Sequence, residues 1–343
     1  MIYFYRITFE CAIVYKKKSK KRKEMDNFLI LKQLFLTAEA IIIGAGAGLS
    51  ASGGYDFTNK EFFKYSFPDY HRLGYQKFWD ILSKYWDVND KNELEYYGFC
   101  ASQVDVFLYD FNGPAKTVNN LPGDPHYHAP ALQPYKDLYR LLYSDRLKIK
   151  NESSFYIFTT NVDHQFQLAG FPDSIILSPQ GDLSFFQCSL PCTHDIYDGY
   201  EYVKKILNNI DRKTMSARPE DVPRCPKCGR RLIPNVRCDN RFIEEPHVLN
   251  YGGYNKFISK FVNTEKKVLL LELGVGFSTP SIIRFPFDRL VKNNKNFYLI
   301  RINNNHPEVP NDPSLKGRVF SMSDDISDVI SRLVTEILDN NEI

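Results

Sequence analysis

Long apolar runs are missing from this chain, and so is any surplus of charge on its main body. No stretch approaches the roughly 18 apolar residues of a bilayer-crossing helix, so no membrane span or membrane partner is expected. The apolar opening Met1-IYFYRITFECAIVY is broken by Arg6 and Glu10 and precedes its basic block. A secretory signal has the opposite order and ends in a small-residue cleavage site. The expected location is therefore intracellular, the cytoplasm first, with mitochondrion and nucleus open. A disulfide framework is also lacking: the seven cysteines, at 11, 100, 188, 192, 225, 228 and 238, are odd in number, and four of them form two tight pairs. The net charge is only +3. Residues 1–24 hold eight basic side chains against Glu10 and Glu24, so they carry +6 and leave residues 25–343 at −3. A basic nucleic-acid-tracking surface is not expected on such a body. The block Lys16-KKSKKRK reads as a solvated tail or as a nuclear-localisation or anionic-surface patch, and residues 1–25 as a basic, disordered extension.

The remainder has ordinary globular composition, 43% hydrophobic and 25% charged, and its 343 residues suggest two domains or one with an insertion. Asp26 is placed to cap a helix through Asn27-FLILKQLFLTA. Ala40-III, Ser154-FYIFTT, Lys267-VLLLELGVG and Asn296-FYLIRIN read as buried strands, and Ile326 to about Leu338 as an amphipathic helix. Phe57 to Asp110 reads as helices and irregular loops, and the proline-rich stretch Phe111 to Pro134 as an extended loop. Buried strands alternating with helices predict an α/β fold, a Rossmann-like parallel sheet with helices on both faces. The rhythm fails between about 180 and 250. The expected organisation is a nucleotide-binding domain over 26–180 and 250–340, with a small zinc-ribbon module inserted over 181–249 and a helical segment beside it.

A glycine cluster, Gly44-AGAGLS, joins the end of a strand to the start of a helix. Without Cβ atoms, such a loop lets amide N–H groups face a pyrophosphate at a helix N-terminus; glycine-rich turns also serve packing alone. A dinucleotide fold ordinarily adds an Asp or Glu about 20 residues later for the ribose. Here that region is the aromatic Tyr65-SFPDY, so the ribose contact must come from elsewhere, and Asn303 is a candidate. A second polar group ends the strand at Thr159-Thr160: Asn161, Asp163 and His164. Ligands of open α/β sheets bind at such strand ends, although Asn and Asp there also cap helices.

In order along the chain come Gly46-AGLS, Thr160-Asn161-Val-Asp163 with Ala169-Gly170, Gln180-Gly181, the paired cysteines, Gly274, Ile302-Asn303 and Asp325-Ile326. Taken together, over most of residues 26–340, this resembles the sirtuins, Sir2-like NAD-dependent enzymes. The strings Thr159-TNVDHQFQLAGF, Ser178-PQGDLSFFQCSLPC and Leu271-ELGVGFSTP resemble the macrodomain-linked class M subgroup.

The resemblance implies NAD as co-substrate and a role for each matching position. Gly46, Ala47, Gly48 and Ser50 would cradle the phosphates. Asn161 and Asp163 would sit near the nicotinamide and its ribose, and Gln180 would bond the ribose hydroxyls. Gly274 and Gly276 would line the adenylate side, Asn303 would reach the adenosine ribose, and Asp325 with Ile326 would flank adenine. Most sirtuins place a general-base His where Gln180 stands. A Gln amide orients a hydroxyl but cannot take its proton, so deacylation should suffer while cleavage of the nicotinamide–ribose bond survives. Class M resemblance implies protein mono-ADP-ribosylation of a lipoylated carrier related to glycine cleavage protein H, with an ADP-ribose-removing macrodomain protein as a further partner. An NAD-dependent deacylase or delipoylase and a non-catalytic NAD or ADP-ribose sensor are the alternatives. Two departures from the family stand out. Tyr55-Asp56-Phe57-Thr58-Asn59 keeps the aromatic Phe57 but lacks the usual Arg, and Gly276 replaces a frequent Ser.

Cys188, Cys192, Cys225 and Cys228 have spacing close to a zinc ribbon, in which four thiolates close a tetrahedral structural site; Cys238 is a possible substitute ligand. His126, His128 and His194 read as loop or surface residues, the first two within reach of substrate. The aromatics Phe62, Phe63, Tyr65, Phe67, Tyr70, Tyr85 and Trp86 read as a small helical core, since a base-stacking platform would need a basic groove.

Overall fold

The computed structural model describes residues 25–85, 88–89, 91–109, 131–149 and 152–339. The basic extension, Trp86, His126 and His128 lie outside the described residues. Among the described residues no helix is long and apolar enough to cross a membrane.

Among the described residues nine strands form two sheets. The larger has the order β3-β2-β1-β7-β8-β9, with β1 at Ala40–Ala45, β2 at Phe155–Thr159, β3 at Ile176–Leu177, β7 at Val268–Leu273, β8 at Phe297–Ile302 and β9 at Val319–Met322. The smaller has the order β5-β4-β6, with β4 at Gly181–Cys188, β5 at Ile196–Asp198 and β6 at Leu232–Val236. The pairings β1–β7, β7–β8 and β8–β9 are parallel, whereas β4 pairs antiparallel with both neighbours. The near-continuous apolar runs of β1 and β7 suit this arrangement, because a parallel strand covered on both faces has no solvent side to alternate toward. Every residue of both is buried.

The chain divides into two compact units. The first runs to Leu49 and resumes over Arg140–Ile157 and from Lys256; the second comprises Ser50–Tyr139 and Phe158–Asn255. In the first, helix α1 (25–37) buries Phe28, Leu31 and Phe35, the spacing of a one-sided apolar stripe. The helix at Ile326–Val334 does the same with Ile326, Val329, Ile330 and Leu333, and the Asp325 side chain accepts from the Asp328 N–H to cap it. Two charges sit inside the buried strands. Glu272 in β7 lies in register with Arg301 in β8, and both are essentially fully buried. The guanidinium grips the carboxylate through two bonds, Nε to Oε1 at 2.6 Å and Nη2 to Oε2 at 2.8 Å, and reaches Asp288 at 2.8 Å. Isolated, either charge would be very costly there; the pair is what permits both.

The second unit is built on aromatics. Phe63, Phe67, Tyr70, Phe78, Tyr85, Tyr97 and Phe99 share one buried cluster with Phe186, Tyr200 and Leu232. Phe63 and Phe67 stack at 5.5 Å, and the buried Tyr97 hydroxyl donates to the Leu232 carbonyl, giving its polar end a partner. The helical aromatic core is thus as expected, except that Tyr65 points out, 70% exposed.

Candidate functional site

The glycine loop follows β1 and leads into helix α2 (Ala47–Ser52). Its glycines are required by backbone packing. Gly274, at the end of β7, has φ +64°, and its Cα lies 2.7 Å from where a Cβ on Gly48 would stand. A Cβ on Gly46 would meet the Gly274 carbonyl oxygen at 2.7 Å. The Gly46 and Gly48 N–H groups donate to the Leu273 and Gly274 carbonyls. Ala47, between them, is exposed. Around Gly276 a Cβ would find nothing within 4 Å, so space alone does not demand glycine there. Asn303 is buried and shapes its own loop: Nδ2 donates to the Val275 carbonyl at 3.0 Å, and Oδ1 accepts from the Asn305 and His306 N–H groups, both at 2.9 Å.

The second unit gathers a largely buried polar cluster. Helix α2 carries Ser50 into it, helix α3 (Gln133–Leu142) brings Tyr135, and the loop after β2 brings Asn161 and Asp163. Ser50 Oγ donates to Asp163 Oδ2 at 2.5 Å and lies 2.7 Å from the Tyr135 hydroxyl. Asn161 Nδ2 donates to the Tyr135 hydroxyl at 3.0 Å and to Ser50 Oγ at 3.2 Å. Ser50, Tyr135 and Asp163 are all buried. Burial pushes the Asp163 carboxyl up to about 6, against the pull of its bond from Ser50, and it drives Tyr135 well above the usual phenol range. Asp163 is therefore committed to Ser50; its Oδ1 makes only a long 3.4 Å contact with the Gln165 N–H, so helix capping does not account for it. Ser50, expected beside the phosphates, directs its hydroxyl to Asp163 and Tyr135. Tyr135 was not foreseen, because a tyrosine inside an amphipathic helix looks like any core aromatic. Its ring packs edge-on against Phe166 at 4.8 Å.

Gln180 is half-buried, and its carbonyl accepts from the Arg237 N–H. Gly181 follows at φ +94°, where a Cβ would stand 2.1 Å from the Asn235 carbonyl oxygen, so the Gln-Gly turn tolerates no other residue. Phe57 is half-buried among Phe62, Phe78 and Phe107, with ring centroids 5.1–6.4 Å apart.

The four paired cysteines converge. Their sulfurs all lie within 4.8 Å of one another, with Cys188–Cys228 and Cys192–Cys225 each at 3.6 Å. Sulfurs around a tetrahedral zinc at about 2.3 Å stand about 3.8 Å apart, so the donor set fits a metal. Gly229, at φ +72°, donates to the Cys225 carbonyl at 2.8 Å, closing the knuckle. Cys238 is exposed and outside this group. His194 is exposed beside Glu245, at 3.0 Å.

No family model matches the chain. It is 28% identical over 304 residues to "Protein ADP-ribosyltransferase" of Staphylococcus aureus, covering 88% of this chain and 85% of that one. It is 26% identical over 265 residues to "Probable bifunctional ADP-ribose hydrolase/ADP-ribosyltransferase" of Fusarium oxysporum f. sp. cubense, covering 76% of this chain but 40% of that longer one. Among solved structures, a Sir2 homologue mutant in complex with ADP-ribose superposes with a TM-score of 0.51 at 17% identity, covering 90% of this chain and 96% of that one. The chain has the Sir2-like fold, that of the sirtuins, and is similar over most of its length to proteins named as ADP-ribosyltransferases.

Proposed function

We propose that this protein is an NAD-dependent protein mono-ADP-ribosyltransferase of the class M sirtuin type, releasing nicotinamide and modifying a lipoylated carrier related to glycine cleavage protein H. The observation that carries the reading is Gln180, held on the Gly181 turn at the position where deacylating sirtuins use a basic His. The names of the two relatives support the same chemistry, and the Fusarium name couples it to an ADP-ribose hydrolase, which supports a macrodomain protein as a further partner.

In this reading the loop of Gly46, Ala47 and Gly48, with Ser50 next along the chain after Leu49, meets the phosphates. Gly274, Gly276, Asn303, Asp325 and Ile326 serve the adenosine, and Phe57 serves the nicotinamide side. Asn161, oriented by Tyr135 and Ser50, holds the nicotinamide amide. Asp163 steadies the positive charge that develops on the ribose as nicotinamide leaves, and a low-dielectric setting strengthens that attraction. Gln180 aligns the ribose hydroxyls. Zinc held by Cys188, Cys192, Cys225 and Cys228 would be structural, since four thiolates leave no open position, and 181–249 would be the module it staples.

The test is incubation with adenylate-labelled NAD and a lipoylated carrier protein, beside Asn161→Ala and Gln180→Ala. Label on the carrier, lost in both variants, is expected. Acyl release from a peptide without label transfer would favour the deacylase, and NAD binding with neither outcome the sensor.

A further inference from the structure

A second polar constellation, next to the first along the chain, has no part in the roles above. His164 follows Asp163 directly and adopts a left-handed backbone, φ 59° and ψ 12°, as the residue preceding helix α4 (Gln165–Leu168) without capping it. Its Nδ1 lies 2.6 Å from Asp182 Oδ2. Asp182 is buried and is itself fixed: Oδ1 accepts from the Ser184 N–H at 2.8 Å and from the Ser184 hydroxyl at 2.6 Å. The Leu183 N–H donates to the Val162 carbonyl at 2.9 Å, which ties the strand starting at Gly181 to the loop that carries Asn161. The dyad therefore links the two segments, Asn161–His164 and Gln180–Asp182, that supply the proposed catalytic groups. The His164 side chain keeps 18% exposure against 4% for Asp182, and among the described residues its Nε2 has no hydrogen-bond partner.

Transfer to a protic acceptor must dispose of a proton. The acceptor's X–H oxygen, nitrogen or sulfur forms the new bond to ribose C1′, the C1′–nicotinamide bond breaks, and neutral nicotinamide leaves with that electron pair. The proton of X–H needs a base. The Gln180 and Asn161 amides have no usable basicity, Ser50 and Tyr135 are buried hydroxyls, and Asp163 is buried with Oδ2 already accepting from Ser50. Resting on the transferase reading, we propose that His164 is the general base that takes the acceptor's proton on Nε2, and that Asp182 is a positioning residue that fixes its tautomer and steadies the imidazolium. The acceptor group is accordingly a protic one, a hydroxyl, thiol or nitrogen nucleophile, and not a carboxylate. Burial opposes protonation of His164, but the Asp182 carboxylate, with Asp173 and Asp163 further off, outweighs it and raises the imidazole pKa from its ordinary value.

His164→Gly tests this, because glycine accepts the left-handed backbone and leaves room for added imidazole. With adenylate-labelled NAD and a lipoylated carrier protein, transfer should fall on the order of 100-fold or more. NAD binding, which needs no acceptor base, should persist. Imidazole in the buffer should restore transfer. The wild-type transfer rate should climb with pH as His164 loses its proton, and Asp182→Asn should move that climb to lower pH. Undiminished transfer by His164→Gly overturns the proposal, as does loss of transfer together with NAD binding that imidazole does not repair, which would make His164 a support of its loop. A wild type that labels no carrier overturns the transferase reading first, and this assignment with it; a wild type that labels the carrier beside an equally active His164→Gly overturns the assignment alone.

Discussion

Replacing Asp163 with Asn is expected to stabilise the folded chain at pH 8 and, on the proposed reading, to stop transfer of ADP-ribose. Asp163 is buried, and burial lifts its carboxyl from an ordinary 3.8 to about 6. A difference of that size corresponds to about 3 kcal/mol between the folded and unfolded states. The sign follows from which state holds its proton longer. Because the folded chain does, stability is highest below about pH 4, falls as pH rises toward 6, and at pH 8 the full cost of a buried carboxylate is present. Asn removes that cost. Its oxygen still accepts from Ser50, but its amide then faces the Gln165 N–H that Asp163 Oδ1 now receives, a clash of donors worth about 1 kcal/mol. The net gain is about 1–2 kcal/mol, or about 1–3 °C in Tm for a chain of this size. Thermal unfolding of variant and wild type at pH 8 and pH 5 measures it. The gain should be largest at pH 8 and shrink at pH 5, where the wild-type carboxyl is mostly protonated. A variant less stable than wild type at pH 8, or a difference indifferent to pH, would refute the reasoning. Stability gained at a group that the proposed function places beside the reacting ribose would be the usual trade between stability and activity.

Arg301→Ala should destabilise the first unit by about 3 kcal/mol, since it removes both hydrogen bonds that the buried Glu272 carboxylate accepts from Arg301 and leaves it only the Arg284 guanidinium at 3.6 Å; urea unfolding checks this, and a loss under about 1 kcal/mol contradicts it. Cys225→Ser should lower bound zinc from one per chain and reduce the Tm, as should a strong chelator applied to wild type, read by metal analysis and thermal unfolding; purified protein with a metal ratio near zero and an unaltered Tm would remove the zinc assignment.

Much of the fold could be read from residue patterns, because buried parallel strands announce themselves: Ala40-III and Val268-LLL have no solvent face to obey. The amphipathic helix from Ile326 was legible for the complementary reason, an apolar stripe with a capping Asp before it. The antiparallel sheet of β4, β5 and β6 was not, since its strands are short and its register shifts between Gly181 and Phe186. Asn161, Asp163 and Gln180 drew attention as polar groups at a strand end and by the resemblance they carry. What the sequence concealed is how they are held. Tyr135 reaches Asn161 across 26 residues and Ser50 reaches Asp163 across 113, pairings no local pattern encodes. Glu272 and Arg301 did leave a signal: a single charge inside each of two apolar strands is a buried pair in waiting. Asp182 beside Gln180 left none, because an acid after a Gln-Gly turn reads as surface until its partner His164 is located.

The central claim is transfer of ADP-ribose to protein, and intact-mass analysis of a lipoylated carrier after incubation with the full chain and NAD tests it most directly. The account predicts a mass gain of one ADP-ribose, matched mole for mole by free nicotinamide and absent with Asn161→Ala. A carrier that keeps its mass or loses its lipoyl group while nicotinamide is released would contradict it.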